Sequence, residues 1–269
     1  MCGPRARFDI NDKKGAFNKM KAIVLGAGKG KRLQSENFNL PKVLRQANGK
    51  GLILYVLDNI DFIPKQDTVV VVGYKKEAVM DALSSEYCFA VQEEQLGTGH
   101  AVNCAKNYFE NYDGDVLVLC GDMPLLSKAT YEKLVIEHQN SGADCTLLTA
   151  VVNDPPAYGR IIRAEDGSFA GMVETKDCTP EQLKITELNL GVYVFRAKLL
   201  FDNLGELKNN NAQGEYYLTD IPKILLQKGA KISICTTSDT SEIYGVNTEE
   251  DLKYCEEQLK KRQMAEAEN

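Results

Sequence analysis

The sequence predicts an α/β protein with a mainly parallel sheet flanked by helices and a strand-rich extension, and three observations carry that reading. Short apolar runs without polar alternation recur at 22–25, 68–72 and 116–120, as strands buried on both faces require. Stretches with helical spacing lie between them, and alternation of this kind implies parallel βαβ units with right-handed crossovers. From residue 144 the pattern changes to closely spaced strands with an Asp166-Gly167 turn between two of them, a hairpin signal.

In chain order, residues 1–19 are polar and aperiodic and contain no apolar segment of the secretory type, so they read as a flexible leader, with Met20 a candidate start. Helical spacing at 51–60 precedes the strand at 68–72. A helix at 77–83, a strand at 87–91, a helix at 100–109 and a strand at 116–120 follow. Ser127 is placed to cap a helix running to Asn140, which Gly142 ends. Beyond it come the strands CTLLTAVV, GRIIR, SFAGMVE and LNLGVYVF, helices at 197–204 and 217–227, and a strand at 231–235. Thr248 caps a last helix to about residue 266, with Asp251 favouring its N-terminus. The organisation is therefore a leader (1–19), one domain (20–247) whose halves meet near residue 143, and a C-terminal helix (248–269). No internal repeat, and in particular no six-residue solenoid period, is present.

A formal net charge of −6 and the lack of a basic stripe argue against nucleic acid or an anionic membrane as partner. The apolar runs are far shorter than the roughly 20 residues a membrane span needs. Eight cysteines are scattered without a close pair, several of them inside apolar runs, which reads as reduced thiols in a cytoplasmic protein. Two histidines, with no CxxC or HExxH spacing, argue against zinc.

Gly26, Gly28 and Gly30 directly follow the first strand, with Lys29, Lys31 and Arg32 beside them and Lys42 returning after Pro41. Exposed backbone N–H groups and cations are what hold a polyphosphate, although the same glycines also serve a plain tight turn. The loop lacks the Gly-Lys-Ser/Thr of a P-loop and the third glycine of GxGxxG. A second loop, QEEQLGTGHA at 92–101, offers Gln92 as donor and acceptor for the edge of a uracil ring and Thr98 as a helix cap; a simple capped loop is the other reading. Asp122 ends the strand of VLCGDMPLL. One such carboxylate with one amide oxygen suffices for Mg²⁺, while a cap before Pro124 is the alternative. In YGRI, VETKD and ELNLG, Gly159 leaves its backbone accessible, Glu174 can accept from sugar hydroxyls, and Asn189 can bond hydroxyl or acetamido groups.

Gly-x-Gly-x-Arg (28–32), Leu-Pro-Lys (40–42), QLGTGHA (95–101), YGRI, VETKD, ELNLG, NNNAQGEYYLTD (209–220) and GVN (245–247) occur in this order. Together they resemble the sugar-nucleotide pyrophosphorylases, and most of all the uridylyltransferase domain of the bacterial bifunctional N-acetylglucosamine-1-phosphate uridylyltransferases, from about residue 20 to 247 and on through the last helix. The resemblance implies a Rossmann-like fold of the nucleotide-diphospho-sugar transferase type, with a nucleotide-binding part at about 20–143 and a β-rich sugar-binding part at about 144–247. It implies UMP transfer from UTP to N-acetylglucosamine 1-phosphate, in the supply of a cell-wall precursor. By the same match Arg32 and Lys42 are catalytic groups on phosphates, and Asp122 and Asn247 hold Mg²⁺. Leu25, Gly28, Gln92, Gly97 and Thr98 surround uracil; Gly159, Glu174 and Asn189 contact the sugar.

The chain departs from the family pattern at several positions. Gly26 and Lys31 replace the usual Ala and Thr or Ser, Cys120 stands where some members have Tyr, and Leu190 replaces a usual Thr. The hexapeptide-repeat acetyltransferase region of the bifunctional proteins is not found in this sequence, so acetyl transfer is not expected of it. The residues leave two alternatives, another sugar 1-phosphate such as glucose 1-phosphate, and a catalytically silent nucleotide sensor.

Overall fold

The computed structural model describes residues 19–30, 33 and 40–267. The predicted leader, apart from Lys19, lies outside the described residues, as do Lys31 and the expected catalytic residue Arg32.

The first half of the chain runs β1 (Met20–Leu25), the short pair β2 (Gln46–Ala47) and β3 (Lys50–Gly51), α1 (Leu52–Asn59), β4 (Thr68–Val72), α2 (Lys76–Ala82), β5 (Cys88–Val91), α3 (Thr98–Cys104) and β6 (Asp115–Cys120). The second half holds α4 (Lys128–Ser141), β7 (Cys145–Val151), β8 (Arg160–Arg163), β9 (Phe169–Val173), α5 (Pro180–Leu183), β10 (Glu187–Arg196), α6 (Ala197–Asn203), α7 (Ile221–Gln227), β11 (Ile232–Thr237) and α8 (Glu249–Ala267).

One sheet takes the order β11-β7-β10-β6-β1-β4-β5, with the β8–β9 hairpin branching from β10. β1 is parallel to β4 and β6, and β4 to β5, while β10 lies antiparallel to β6 and β7. The strand-rich half therefore enters the same sheet through β10, β7 and β11, and only β8–β9 projects from it.

Every residue of β4 is buried, which the continuous β-branched run TVVVV anticipates. The two-residue period sends Ala22, Val70 and Leu117 to one face and Ile23, Val71 and Val118 to the other. On the first face α1 and α4 supply Ile53, Val56, Tyr131 and Leu134; on the second α3, α6 and α7 supply Val102, Leu200 and Leu225. A third cluster packs Leu252, Cys255 and Leu259 of α8 against Ala47, Leu52 and Val246. Among the described residues no helix is long and apolar enough to cross a membrane, and the seven described cysteines are free.

The helix ends follow their sequence signals with three corrections. Ser127 caps α4 by accepting from the Thr130 N–H, and Gly142 closes it in the left-handed region at φ 59°. Thr248 and Asp251 cap α8 reciprocally, each side chain accepting from the other's backbone N–H. The helix expected over 100–109 instead breaks at Ala105 into α3 and a 3-10 turn, Lys106–Phe109. The one expected over 217–227 starts as a 3-10 turn and becomes α-helical at Ile221, where Pro222 occupies the first turn. Thr98 does not cap α3: it is already that helix's first residue, Gly97 precedes it at φ 112°, and its hydroxyl accepts from the Leu218 N–H at 3.0 Å.

Candidate active site

The carboxyl ends of β1, β4, β5 and β6 lie along one edge, and β1, β5 and β6 are each extended by one further hydrogen bond as the chain leaves the sheet. Gly26 N–H donates to Val71, Gln92 N–H to Val72 and Gly121 N–H to Leu25, at 2.8–2.9 Å. The glycine loop, the 92–98 loop and Asp122 consequently open into the same space, the place where ligands of parallel α/β sheets bind. Glycine is obligatory at Gly97, because a Cβ there would stand 2.6 Å from the Tyr216 carbonyl oxygen.

That space has two chambers. The larger, about 700 Å³, is lined by Gly28, Lys29, Lys42, Gln92, Gly97 and Thr98 among others. The smaller, about 230 Å³, is lined by Tyr158, Gly159, Glu174, Asn189, Tyr193 and Thr219 among others. Leu25, Thr98, Cys120, Asp122 and Asn247 line both.

The junction of the chambers is built from three distant segments. The Asp122 carbonyl accepts from the Val246 N–H at 2.9 Å, which brings the 245–247 segment to the end of β6. Asp251 accepts from the Asn247 N–H at 2.8 Å and fixes that residue at the head of α8. The Lys42 ammonium forms an ion pair with Asp122 and donates to Asn247 Oδ1 at 2.9 Å. The two oxygens thus converge on one point, already held by a positive charge. A carboxylate and an amide oxygen suit a hard cation that keeps much of its shell for water and phosphate, so these residues fit Mg²⁺. Among the described residues no group of three or more His, Cys, Asp or Glu is placed to hold a metal.

The smaller chamber exists because β10 is irregular. Its register against β7 shifts between Asn189 and Tyr193, with Gly191 at φ 68°. Below the shift Leu188 pairs with Arg160 of the hairpin, and above it Tyr193 pairs with Val118 of β6. A bulge re-aims the side chains around it, here opening a gap beside the end of β6. Asn189 Nδ2 donates to the Tyr193 hydroxyl at 2.7 Å, and Asn189 Oδ1 accepts from the Gly191 N–H at 3.2 Å, so the amide is held rigidly at the wall. Gly159 sits opposite, where an added Cβ would be 3.9 Å from Asn189 Nδ2. Glu174 follows β9 and accepts from the Thr219 hydroxyl at 3.1 Å; burial, opposed by that bond, raises its pKa above the usual carboxylate range. Burial and then the Asp122 charge push the Cys120 thiol up to about 12, which leaves it protonated and a poor nucleophile.

Every predicted site residue except Arg32, which is not described, thus lines one of the chambers. Lys42 is the refinement, since its ammonium is bound to both expected metal ligands. Sequence reasoning assigned no role to Tyr158 or Thr219. The Tyr158 hydroxyl donates to the Ile243 carbonyl at 3.0 Å and accepts from the Gly245 N–H at 2.7 Å, tying the wall of the smaller chamber to the segment that carries Asn247. The signal for both residues was their presence in YGRI and YYLTD, which names positions without saying what they touch.

A sheet edge with two chambers meeting at one acid, one amide and one ammonium can set two ligands against a shared positive charge. The chain belongs to the nucleotidyl transferase family, whose model matches residues 21–240. It is 44% identical over 241 residues to the bifunctional protein GlmU of Shouchella clausii (strain KSM-K16), and 45% identical over 242 residues to that of Clostridium beijerinckii (strain ATCC 51743 / NCIMB 8052). In both cases 90% of this chain and 52% of the relative are covered, so the chain spans about half the length of the curated relatives it matches. Among solved structures, a putative glucose-1-phosphate thymidylyltransferase from Bacillus anthracis shares the fold. The TM-score is 0.68, at 22% identity, over 88% of this chain and 94% of that one.

Two outcomes follow from this geometry. Tyr158→Phe leaves the Gly245 N–H without its partner and is expected to cost about 1–2 kcal/mol in urea denaturation. An unchanged stability contradicts the linkage. Because folding raises the pKa of Glu174, ionised Glu174 opposes folding: the penalty is complete above the folded pKa and absent below the unfolded one. Glu174→Gln should raise Tm by on the order of a few degrees at neutral pH. The advantage should vanish as pH falls into the ordinary carboxylate range, and a variant less stable than its parent at neutral pH contradicts the assignment.

Proposed function

We propose that this chain transfers UMP from UTP to N-acetylglucosamine 1-phosphate, forming UDP-N-acetylglucosamine and pyrophosphate, as a cytoplasmic enzyme. The observation that carries the reading is the junction itself, where Lys42, Asp122 and Asn247 meet on the wall shared by the two chambers. The larger chamber, with Gly28 in its glycine loop and Leu25, Gln92, Gly97 and Thr98, takes the nucleotide. The smaller takes the sugar, with Gly159, Glu174 and Asn189 against it. The nucleotide-binding part at about 20–143 and the sugar-binding part at about 144–247 follow this division. The order of the motifs and the GlmU relatives support the choice of uracil and of N-acetylglucosamine.

The nucleophile is an oxygen of the sugar phosphate, already ionised at neutral pH, so no side chain has to remove a proton. A bond forms from that oxygen to the α-phosphorus of UTP, and the bond from the α-phosphorus to the bridging oxygen of pyrophosphate breaks, its electron pair leaving with pyrophosphate. Asp122 and Asn247 would hold Mg²⁺, which would supply positive charge against the phosphates. Lys42 and Arg32 offset the charge on the α-phosphate and the leaving group, and the chamber walls hold the two reactants in line. Glu174 accepts from a sugar hydroxyl, and the fixed amide of Asn189 faces the acetamido group.

Cys120 and Leu190 line the sugar chamber at positions where the family pattern differs, so the sugar preference is tested across a panel. Purified protein with UTP and Mg²⁺ should release pyrophosphate fastest with N-acetylglucosamine 1-phosphate; faster release with glucose 1-phosphate moves the assignment to that sugar. Lys42→Ala should lower the rate on the order of 10²- to 10³-fold, by analogy with removing one oxyanion donor. No release with any sugar 1-phosphate, or an undiminished rate in Lys42→Ala, contradicts the mechanism.

A further inference from the structure

We infer that His100 is a specificity-determining residue: its ring nitrogen fixes the side-chain amide of Gln92 so that the nucleotide chamber presents a single hydrogen-bond acceptor to the base edge. The inference rests on the uridylyl reading above and deepens it.

Gln92 is buried in the wall of the larger chamber, 3% exposed. Its backbone is pinned on both sides, the N–H by Val72 O at 2.8 Å and the carbonyl by Gln95 Nε2 at 3.1 Å. Its side-chain Nε2 lies 3.1 Å from the Gly97 carbonyl oxygen and 3.0 Å from His100 Nδ1. A carbonyl oxygen can only accept, so the nitrogen of the amide, and not its oxygen, has to face Gly97. The Gly97 carbonyl cannot turn away, because it also accepts the Ala101 N–H at 3.0 Å within α3.

The second amide hydrogen then points at His100 Nδ1, which must be the unprotonated, accepting nitrogen, with the ring proton on Nε2. Both donors of Gln92 are consumed inside the loop. What it has left is Oε1, which has no partner among the described residues and can only accept. Uracil carries its one edge donor at the central ring nitrogen, N3, where cytosine carries an acceptor. A fixed oxygen facing that position pairs with uracil and repels cytosine. Without the His100 acceptor, one amide hydrogen loses its partner, and the reversed amide, which would turn its N–H groups toward the base, becomes accessible.

The experiment compares kcat/KM for UTP and CTP, with N-acetylglucosamine 1-phosphate as acceptor, in the parent, His100→Leu and His100→Asn. His100→Leu should lower the UTP-to-CTP ratio roughly 5- to 10-fold, the worth of one hydrogen bond. His100→Asn, whose Oδ1 can stand near the lost Nδ1, should recover most of the ratio. An unchanged ratio in His100→Leu while UTP is turned over overturns the inference and leaves the proposed function intact. Absence of turnover with every nucleotide refutes the proposed function instead, and the inference is then judged on the parent protein by ¹⁵N NMR of its imidazoles. The sequence has only two histidines, so the pair of ring-nitrogen signals that persists in His138→Gln belongs to His100. An unprotonated Nδ1 is expected there; a proton on Nδ1 overturns the proposal.

Discussion

The structure depends on one shared positive charge. Lys42 reaches the site from the segment after the glycine loop, Asp122 from the end of β6 and Asn247 from the head of α8, and the ammonium joins both oxygens. Two oxygen donors brought this close repel each other unless a cation lies between them, so the site is complete only with a positive charge at its centre. Lys42 meets that requirement from within the chain. The same pair of oxygens suits Mg²⁺, and Lys42 would be released toward phosphate where a metal took its place.

The rest of the fold serves that junction. Parallel β1, β4, β5 and β6 bring their loops to one edge because the helical crossovers between them return the chain in the same direction each time. The antiparallel β10 extends the sheet on the other side, and its bulge at 189–193 opens the smaller chamber beside the end of β6. The Tyr158 hydroxyl binds the chamber wall to the 243–245 segment, and Asp251 holds Asn247 by its backbone. Asn189 and Gln92 follow one design: each amide is restrained by neighbours inside the protein and offers only a defined face to a ligand.

Much of this was legible in the sequence where a feature is local. The limits of β4 follow directly from TVVVV, and the cap and stop of α4 from Ser127 and Gly142. Spacing could not show that β10 runs antiparallel between β6 and β7, because strand pairing is a long-range choice and an apolar run carries no partner's name. Thr98 starts α3 instead of capping it, because Gly97 enters that helix with positive φ, which the sequence does not reveal. The candidate site was legible through the order of its motifs, whereas the hydrogen bonds of Tyr158, Thr219 and His100 join residues whose closeness only the folded chain creates.

A crystal structure with Mg²⁺ and UDP-N-acetylglucosamine tests the central claim most directly, since one product molecule has to span both chambers. Uracil is expected against Gln92, the sugar between Gly159 and Asn189, and the diphosphate at the junction within reach of Lys42, Asp122 and Asn247. A product bound with its diphosphate away from that junction, or with its sugar outside the smaller chamber, would contradict it.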